Sequence, residues 1–381
     1  VKNMRVCVIG GGNIGSVLAV DMAFRGYQVD LLTGKPERWS HEIEVYDLEQ
    51  EEVHFGRIHR ITDSMEILSQ ADVIFSTLPS NVFCEKIKEM TPFLKKGTYL
   101  GIVPGSGGCE FCCREVLEKG CVLFGFQRVH SIARIREYGK AVNVTSRKKE
   151  VQIGAIPKNR TREVCKIVEE LLGIPAREVS NYLNVTLTPS NPILHTTRLY
   201  TMFRDYEEPM VYDQNIQFYA QWTEESSEML LACDRELQNI CKKFPNLDLH
   251  QVVSLKKHYE VQDKRQMTEK ISHIPAFQNI WSPMKKKGDG YVPDKSSRYF
   301  QEDFPYGLCI IKAFAVIAQE ETPNIDCVLK WYEQFSGEEY FQQEAFTGRS
   351  LKKLNLPQNY GLFTVDQVQQ FYGQTEEEID T

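Results

Sequence analysis

Three short stretches of this 381-residue chain carry side chains whose types and spacing could do chemistry. In SNPILHTTRLY, residues 190–200, Asn191 and His195 stand four apart, the interval that stacks two side chains on one face of a helix. An imidazole titrates near neutrality, so a histidine held there can give or take a proton at working pH. Packed as part of a core, the same face would do nothing. In SSRYFQEDFPYGLCIIKAFAVIAQ, residues 296–319, Asp303 precedes Pro305 and an apolar run. Its local reading is an aspartate N-cap with proline in the first turn, and a carboxylate so placed can also orient an imidazole. Near the N-terminus Gly10, Gly12 and Gly15 follow the G-x-G-x-x-G pattern. Its three glycines permit a tight turn, close approach of backbone to a pyrophosphate, and close packing of helix on strand.

The elements that must hold these groups are readable around them. MRVCVIGGGNIGSVLAVDMAFRGYQVDLLT is a buried strand (Val6, Val8, Ile9), a glycine turn, a helix (Val17, Leu18, Met22) and a second strand. That βαβ context turns a weak glycine pattern into a dinucleotide site, with Asn13 and Ile14 inside the turn and helix N–H groups facing the phosphates. At the end of the second strand, where an acidic residue would hold the ribose 2′-hydroxyl of NAD, the chain has Thr33, Gly34 and Lys35, while Asp30 comes too early. Thr33, Lys35 and Arg38 suit a 2′-phosphate, which points to NADP with NAD as the alternative; exposed loop charges would look the same. ADVIFSTLPS and TYLGIVPGSGG end in turns at the ligand edge of such a sheet, making Leu78, Pro79, Ser80, Pro104 and Gly105 cofactor-lining candidates or ordinary turn residues. VLFGFQ, AVNVTS and EVQIGAI are expected to extend the sheet and REVCKIVEELL to cover it, closing a doubly wound Rossmann domain at 1–182.

From 183 to 381 the pattern turns to helical periods, predicting an all-α second domain whose first helix begins near Ser190. Residues 213–244 read as one long helix with a core stripe of Phe218, Trp222, Met229, Cys233, Leu237, Ile240 and Phe244. Ser336 with Glu339 and Thr364 with Gln367 have capping-box spacing, MKKKGDG at 284–290 reads as a solvated loop, and QTEEEIDT at the end as a frayed acidic tail. A cleft between the two domains is the expected place for a small ligand.

Composition narrows the class. With 42% hydrophobic and 25% charged residues, a net charge of −7 and a pI near 5.8, nothing calls for nucleic acid as a partner. No apolar run reaches the length of a membrane span. Eleven cysteines without a leader pattern point to buried thiols in a reducing compartment, the cytoplasm, rather than to a disulfide framework. Cys109 and Cys112 have C-x-x-C spacing, but no second pair completes a four-ligand set, so no metal is expected.

GGGNIG, LLTGKPERW, VPGSGG, RIREYGKAVNV, SNPILH and RYFQEDFPYGL occur in an order and spacing that resembles the octopine/nopaline (opine) dehydrogenase family over about residues 4 to 335. The pairing of the last two motifs is the specific part. The resemblance implies a Rossmann domain joined to a helical domain, and reductive condensation of an amino acid with a 2-oxo acid. It further implies a catalytic pair of His195 and Asp303 with Asn191 nearby, and Arg298 as a substrate-binding arginine. Thr33, Gly34 and Lys35 depart from the acidic residue many members carry there, which puts an NAD assignment in doubt. Elementary chemistry agrees: imine reduction needs a proton donor at the carbon–nitrogen centre, a carboxylate can fix the imidazole tautomer, and substrate carboxylates need guanidinium partners, with Arg134 a second candidate after Arg298.

Two other classes compete. A ketopantoate-reductase-like enzyme would reduce one carbonyl substrate without an amine and would present a lysine as its acid. A dinucleotide-sensing protein without catalysis would bind cofactor but has no need of a proton donor. The expected partners are an amino acid and a 2-oxo acid as substrates and a second copy of the chain in a homodimer.

Overall fold

Val6, Val8 and Ile9 make β1 (Arg5–Ile9) a strand covered on both faces, as a central parallel strand must be. In the computed structural model, which describes residues 3–375, the chain divides into two units. Unit 1 comprises Val1–Thr186, Leu247–Gln251 and Gln369–Thr381; unit 2 comprises Leu187–Asn246 and Val252–Val368. Of the acidic tail, residues 376–381 lie outside the described residues.

Unit 1 continues with α1 (Asn13–Phe24), β2 (Gln28–Leu32), β3 (Glu42–Asp47), β4 (Glu52–Arg57), β5 (Arg60–Thr62), β6 (Val73–Ser76), α2 (Ser80–Met90), β7 (Tyr99–Ile102), α3 (Arg114–Glu118) and β8 (Val122–Phe126). After these come β9 (Ser131–Glu137), β10 (Ala141–Arg147), β11 (Val151–Ile156), α4 (Thr161–Leu172), β12 (Ala176–Glu178) and α5 (Leu183–Thr186). The large sheet has the order β12-β11-β8-β7-β6-β1-β2-β5 and is parallel except where β11 meets β8. The strand order reverses between β1 and β6, the switch point of a doubly wound sheet, with the glycine turn at its edge.

AVNVTS does not extend that sheet. It is β10, in a separate sheet of order β4-β3-β10-β9 that packs on α1. Apolar alternation is the same in either sheet, so pattern alone does not separate them. The small sheet is joined to α1 by charge as well: Asp21 accepts from Arg147 on β10 at 2.7 Å and contacts His54 on β4 at 2.8 Å. Burial raises the Asp21 carboxyl, but the bonds of His130, His54 and Arg147 outweigh it and hold the group far below the usual range.

Cys112 is bonded to Cys84 on α2, correcting the expectation that every thiol is free. The partners are 28 residues apart and are brought together only by the fold, so nothing in the local spacing of Cys112 marks Cys84 as its partner. Among the described residues nine cysteines stand outside any disulfide, including buried Cys109 and Cys113. Among the described residues, no group of three or more His, Cys, Asp or Glu could hold a metal ion, and no helix is long and apolar enough to cross a membrane.

Between these cysteines lies Glu110, 1% exposed. One carboxyl oxygen meets the hydroxyls of Thr186 and Tyr372, and the other has no partner. Burial pushes the carboxyl up to about 7, against both hydroxyls. A raised acid keeps its proton in the folded chain after the unfolded chain has lost it. Stability should therefore fall as pH rises from about 4.5 to about 7 and then level off. Glu110→Gln should remove that slope and stabilise the fold by about 3 kcal/mol at pH 8 relative to pH 4.5. Denaturant unfolding of both chains across the window measures it.

Unit 2 contains α6 (Asn191–Phe203), α7 (Glu224–Cys241), α8 (Leu255–Tyr259), α9 (Lys264–His273), a hairpin of β13 (Met284–Lys287) and β14 (Gly290–Pro293), α10 (Arg298–Gln301), α11 (Cys309–Ala318), α12 (Pro323–Ser336) and, running into unit 1, α13 (Val365–Gly373). Three expectations change. MKKKGDG is a hairpin turning at Gly288, φ +62°, rather than a bare loop. The long helix begins at Glu224, where the Thr223 hydroxyl accepts from the Ser226 N–H, so Phe218 and Trp222 lie in the non-helical turn before it. Ser336 ends α12, donating its hydroxyl to the Tyr332 carbonyl, and starts nothing. Thr364 and Gln367 do form the reciprocal capping box of α13.

Candidate active site

The centre of unit 2 is a histidine with both ring nitrogens engaged. His195 Nδ1 lies 2.8 Å from the Asp303 carboxylate and Nε2 lies 2.6 Å from the Tyr219 hydroxyl. Pro192 opens α6, and Thr196 and Thr197 return their hydroxyls to the carbonyls of Pro192 and Ile193, so this helix can be buried nearly all round. His195 is 8% exposed in consequence. Its ring stands 4.7 Å from Tyr299 and edge-on to Phe218 at 5.6 Å.

Asp303 reaches the imidazole because it does not cap the helix that follows. It makes no side-chain cap, and residues Phe304–Leu308 form a π turn in which the Leu308 N–H donates to the Asp303 carbonyl at 2.9 Å. The wider turn frees the carboxylate, and Gly307 lets it seat against Pro192: a Cβ there would stand 3.2 Å from that ring. The capping expectation is thus corrected. Burial pushes the Asp303 carboxyl up to about 6; the charge and hydrogen bond of His195 oppose it, and Arg298 adds a smaller pull in the same direction.

Tyr219 was not foreseen. Its ring stacks on Phe277 at 4.0 Å and 18°, and lies parallel to Trp222, 7° apart. Arg198, one turn after His195 and 2% exposed, donates to the carbonyls of Phe218 and Gln221 on either side of it, at 3.0 and 2.9 Å. All its partners are neutral, and burial pulls its guanidinium down to about 10. Tyr219 is 24 residues from His195 across a turn of irregular backbone, so no periodicity in the sequence could tie the two.

Asn191 is the exposed first residue of α6, a turn before His195. Arg298 is exposed and pairs with Glu302 at 3.0 Å, one residue before Asp303. Arg134 belongs to unit 1, on β9, and donates to the Ala133 carbonyl at 2.8 Å.

In unit 1 the glycine turn fits a dinucleotide. Gly10 has φ +100°, and a Cβ on Gly15 would fall 1.9 Å from the Gly10 carbonyl oxygen, so both must be glycine. Nothing lies within 4 Å of a Cβ on Gly12, and the first turn of α1 has no side-chain cap, leaving its N–H groups for phosphate. Asn13 is used otherwise, accepting from the Ile135 N–H at 2.8 Å, and Ile14 packs on the core. A Cβ on Gly11 would strike the Trp39 indole at 2.4 Å, a neighbour that pattern reading missed.

Asp30 is consumed by Arg60 at 2.7 Å and His59 at 2.9 Å. Thr33 is buried and bonded through its N–H to Thr62, Lys35 is exposed, and Arg38 stacks over Tyr138 at 4.7 Å. Leu78 and Pro79 lead into α2, with Ser80 at its first residue, and Pro104 is exposed. Gly105 is explained by packing, since a Cβ would stand 2.7 Å from Gly125 and 2.9 Å from the Tyr182 hydroxyl.

Residues 178–336 match the family described as NAD/NADP octopine/nopaline dehydrogenase, alpha-helical domain. The chain is 28% identical to tauropine dehydrogenase of Arabella iricolor, over 95% of this chain and 98% of that one. It is 26% identical to octopine dehydrogenase of Pecten maximus, over 96% and 98%. The structure resembles octopine dehydrogenase solved with NADH and L-arginine, with a TM-score of 0.85 at 24% identity over 98% of this chain and 99% of that one. It resembles 2-dehydropantoate 2-reductase of Geobacter metallireducens with a TM-score of 0.63 at 11% identity over 87% and 100%, a likeness of fold alone.

Proposed function

We propose that this chain, which belongs to the octopine/nopaline (opine) dehydrogenase family, joins the amino group of an amino acid to a small 2-oxo acid and reduces the resulting imine with NAD(P)H. The observation that carries the reading is the bond of His195 to Asp303 inside the helical unit that matches the family. When bound, the nicotinamide supplies hydride. Gly10, Gly12 and Gly15 would hold its pyrophosphate. Lys35 and Arg38, with Asp30 already committed to Arg60, favour NADP over NAD.

The remaining chemistry belongs to the protein. His195 moves the proton that the carbon–nitrogen centre takes or releases, and Asp303 holds its Nδ1–H and stabilises the imidazolium. Arg298 and Arg134 grip substrate carboxylates, and Asn191 takes a polar substrate group. Nine of the eleven cysteines stand outside any disulfide, which favours a cytoplasmic location despite the Cys84–Cys112 bond.

Nicotinamide absorbance should fall only when an amino acid and a 2-oxo acid are both present, faster with NADPH than NADH at limiting cofactor. Oxidation with an oxo acid alone would make the enzyme a plain ketone reductase. Tight cofactor binding without turnover across a broad two-substrate panel would leave a binding protein and sink the reading.

A further inference from the structure

A histidine that delivers a proton to substrate needs a nitrogen to deliver it from, and His195 has none free. Nδ1 is held by Asp303, and Nε2 is held by Tyr219 at 2.6 Å. Substrate can draw on the imidazole only through that hydroxyl or after pushing it aside. The second route is opposed by the packing. The phenol ring is stacked on Phe277 at 4.0 Å and edge-on to Phe218 at 4.9 Å, and Arg198 fixes the backbone on both sides of it. Displacing the hydroxyl would break that stack or strip a buried guanidinium of its carbonyl partners, which is costly.

We propose that the Tyr219 hydroxyl is the group that exchanges the proton with substrate, and that His195 and Asp303 recharge it. As hydride reaches the imine carbon, the carbon–nitrogen π pair moves onto nitrogen and takes the Tyr219 hydroxyl proton. The phenolate oxygen takes the Nε2 proton of the imidazolium, which becomes neutral while its Nδ1–H still donates to Asp303. The imine is reduced, the nicotinamide oxidised, and one proton is drawn from solvent to restore the imidazolium. In the oxidative direction the same protons run backwards. Tyr219 is thereby catalytic, and Arg198 is a positioning residue acting through it.

The inference rests on the function proposed above, and its test separates the two. Tyr219→Phe removes one oxygen and keeps the ring in its stack. In the two-substrate assay kcat should fall about 10- to 100-fold, with KM for both substrates and Kd for NAD(P)H within about twofold of the unmodified chain. The solvent proton inventory, curved when two protons move together, should become linear, which a structural role for the hydroxyl would not cause. In the chain without cofactor, the imidazole nitrogen resonances of His195, assigned by their loss in His195→Asn, should shift on Tyr219→Phe. If the phenylalanine variant does not fold, 3-fluorotyrosine placed at 219 alone should move a limb of the pH–rate profile to lower pH.

Full activity of the phenylalanine variant, an unchanged proton inventory, or a pH profile unmoved by fluorination would overturn the relay and leave the dehydrogenase reading standing. Absence of two-substrate activity in the unmodified chain would overturn both.

Discussion

His195→Asn should lower kcat by about 10²–10⁴, the usual worth of general acid–base participation, while leaving the affinity for NAD(P)H unchanged. The imidazole bonds both the Asp303 carboxylate and the Tyr219 hydroxyl, so its loss uncouples a proton donor from the charge that supports it. Cofactor affinity should hold because the glycine turn and the residues around Lys35 and Arg38 belong to unit 1. Fluorescence titration with NADPH beside steady-state kinetics checks both parts. A variant that keeps most of its turnover, or that loses turnover and cofactor binding together, would show that His195 is not the proton-handling group.

Asp303→Asn should have an effect of the same order, about 10²–10⁴ in kcat, for a different reason. An amide can satisfy Nδ1, but it cannot stabilise an imidazolium, and it can donate to Nδ1 and so leave the ring proton on Nε2. The pH dependence adds an independent signature. Burial places the carboxyl at about 6, so it is ionised above that value and takes up a proton below it. Turnover of the unmodified chain should therefore decline as pH falls through about 6, because the protonated carboxyl no longer supports the charged ring. In the asparagine variant this acid limb should be absent, with the remaining rate flat across the same range. A limb that persists in the variant would assign the titration to another group.

How much of this was legible beforehand differs by element. The βαβ start was plain, since strand, glycine turn and helix each leave a local mark, and Gly10 and Gly15 occupy positions where a Cβ is excluded. The capping box at Thr364 was plain for the same reason. Ser336 had the same spacing and ended a helix instead, because spacing does not say which side of the residue is helical. Phe218 and Trp222 continued an apolar period into a stretch that is not helical, where the turn is held by Arg198 from a different helix.

The sequence by itself determined the dinucleotide domain and the helical character of the second unit, because glycine patterns and periodicity are properties of short windows. That His195 and Asp303 could share a proton was implied only by the resemblance of their motifs to the opine dehydrogenase family. Only the tertiary structure decided that Asp303 turns from its own helix to the imidazole, that Tyr219 occupies the other nitrogen, and that Cys112 bonds Cys84. Each of those joins residues 24 to 108 positions apart. Contacts at such distances are set by how elements pack, and packing leaves no spacing in the chain to read.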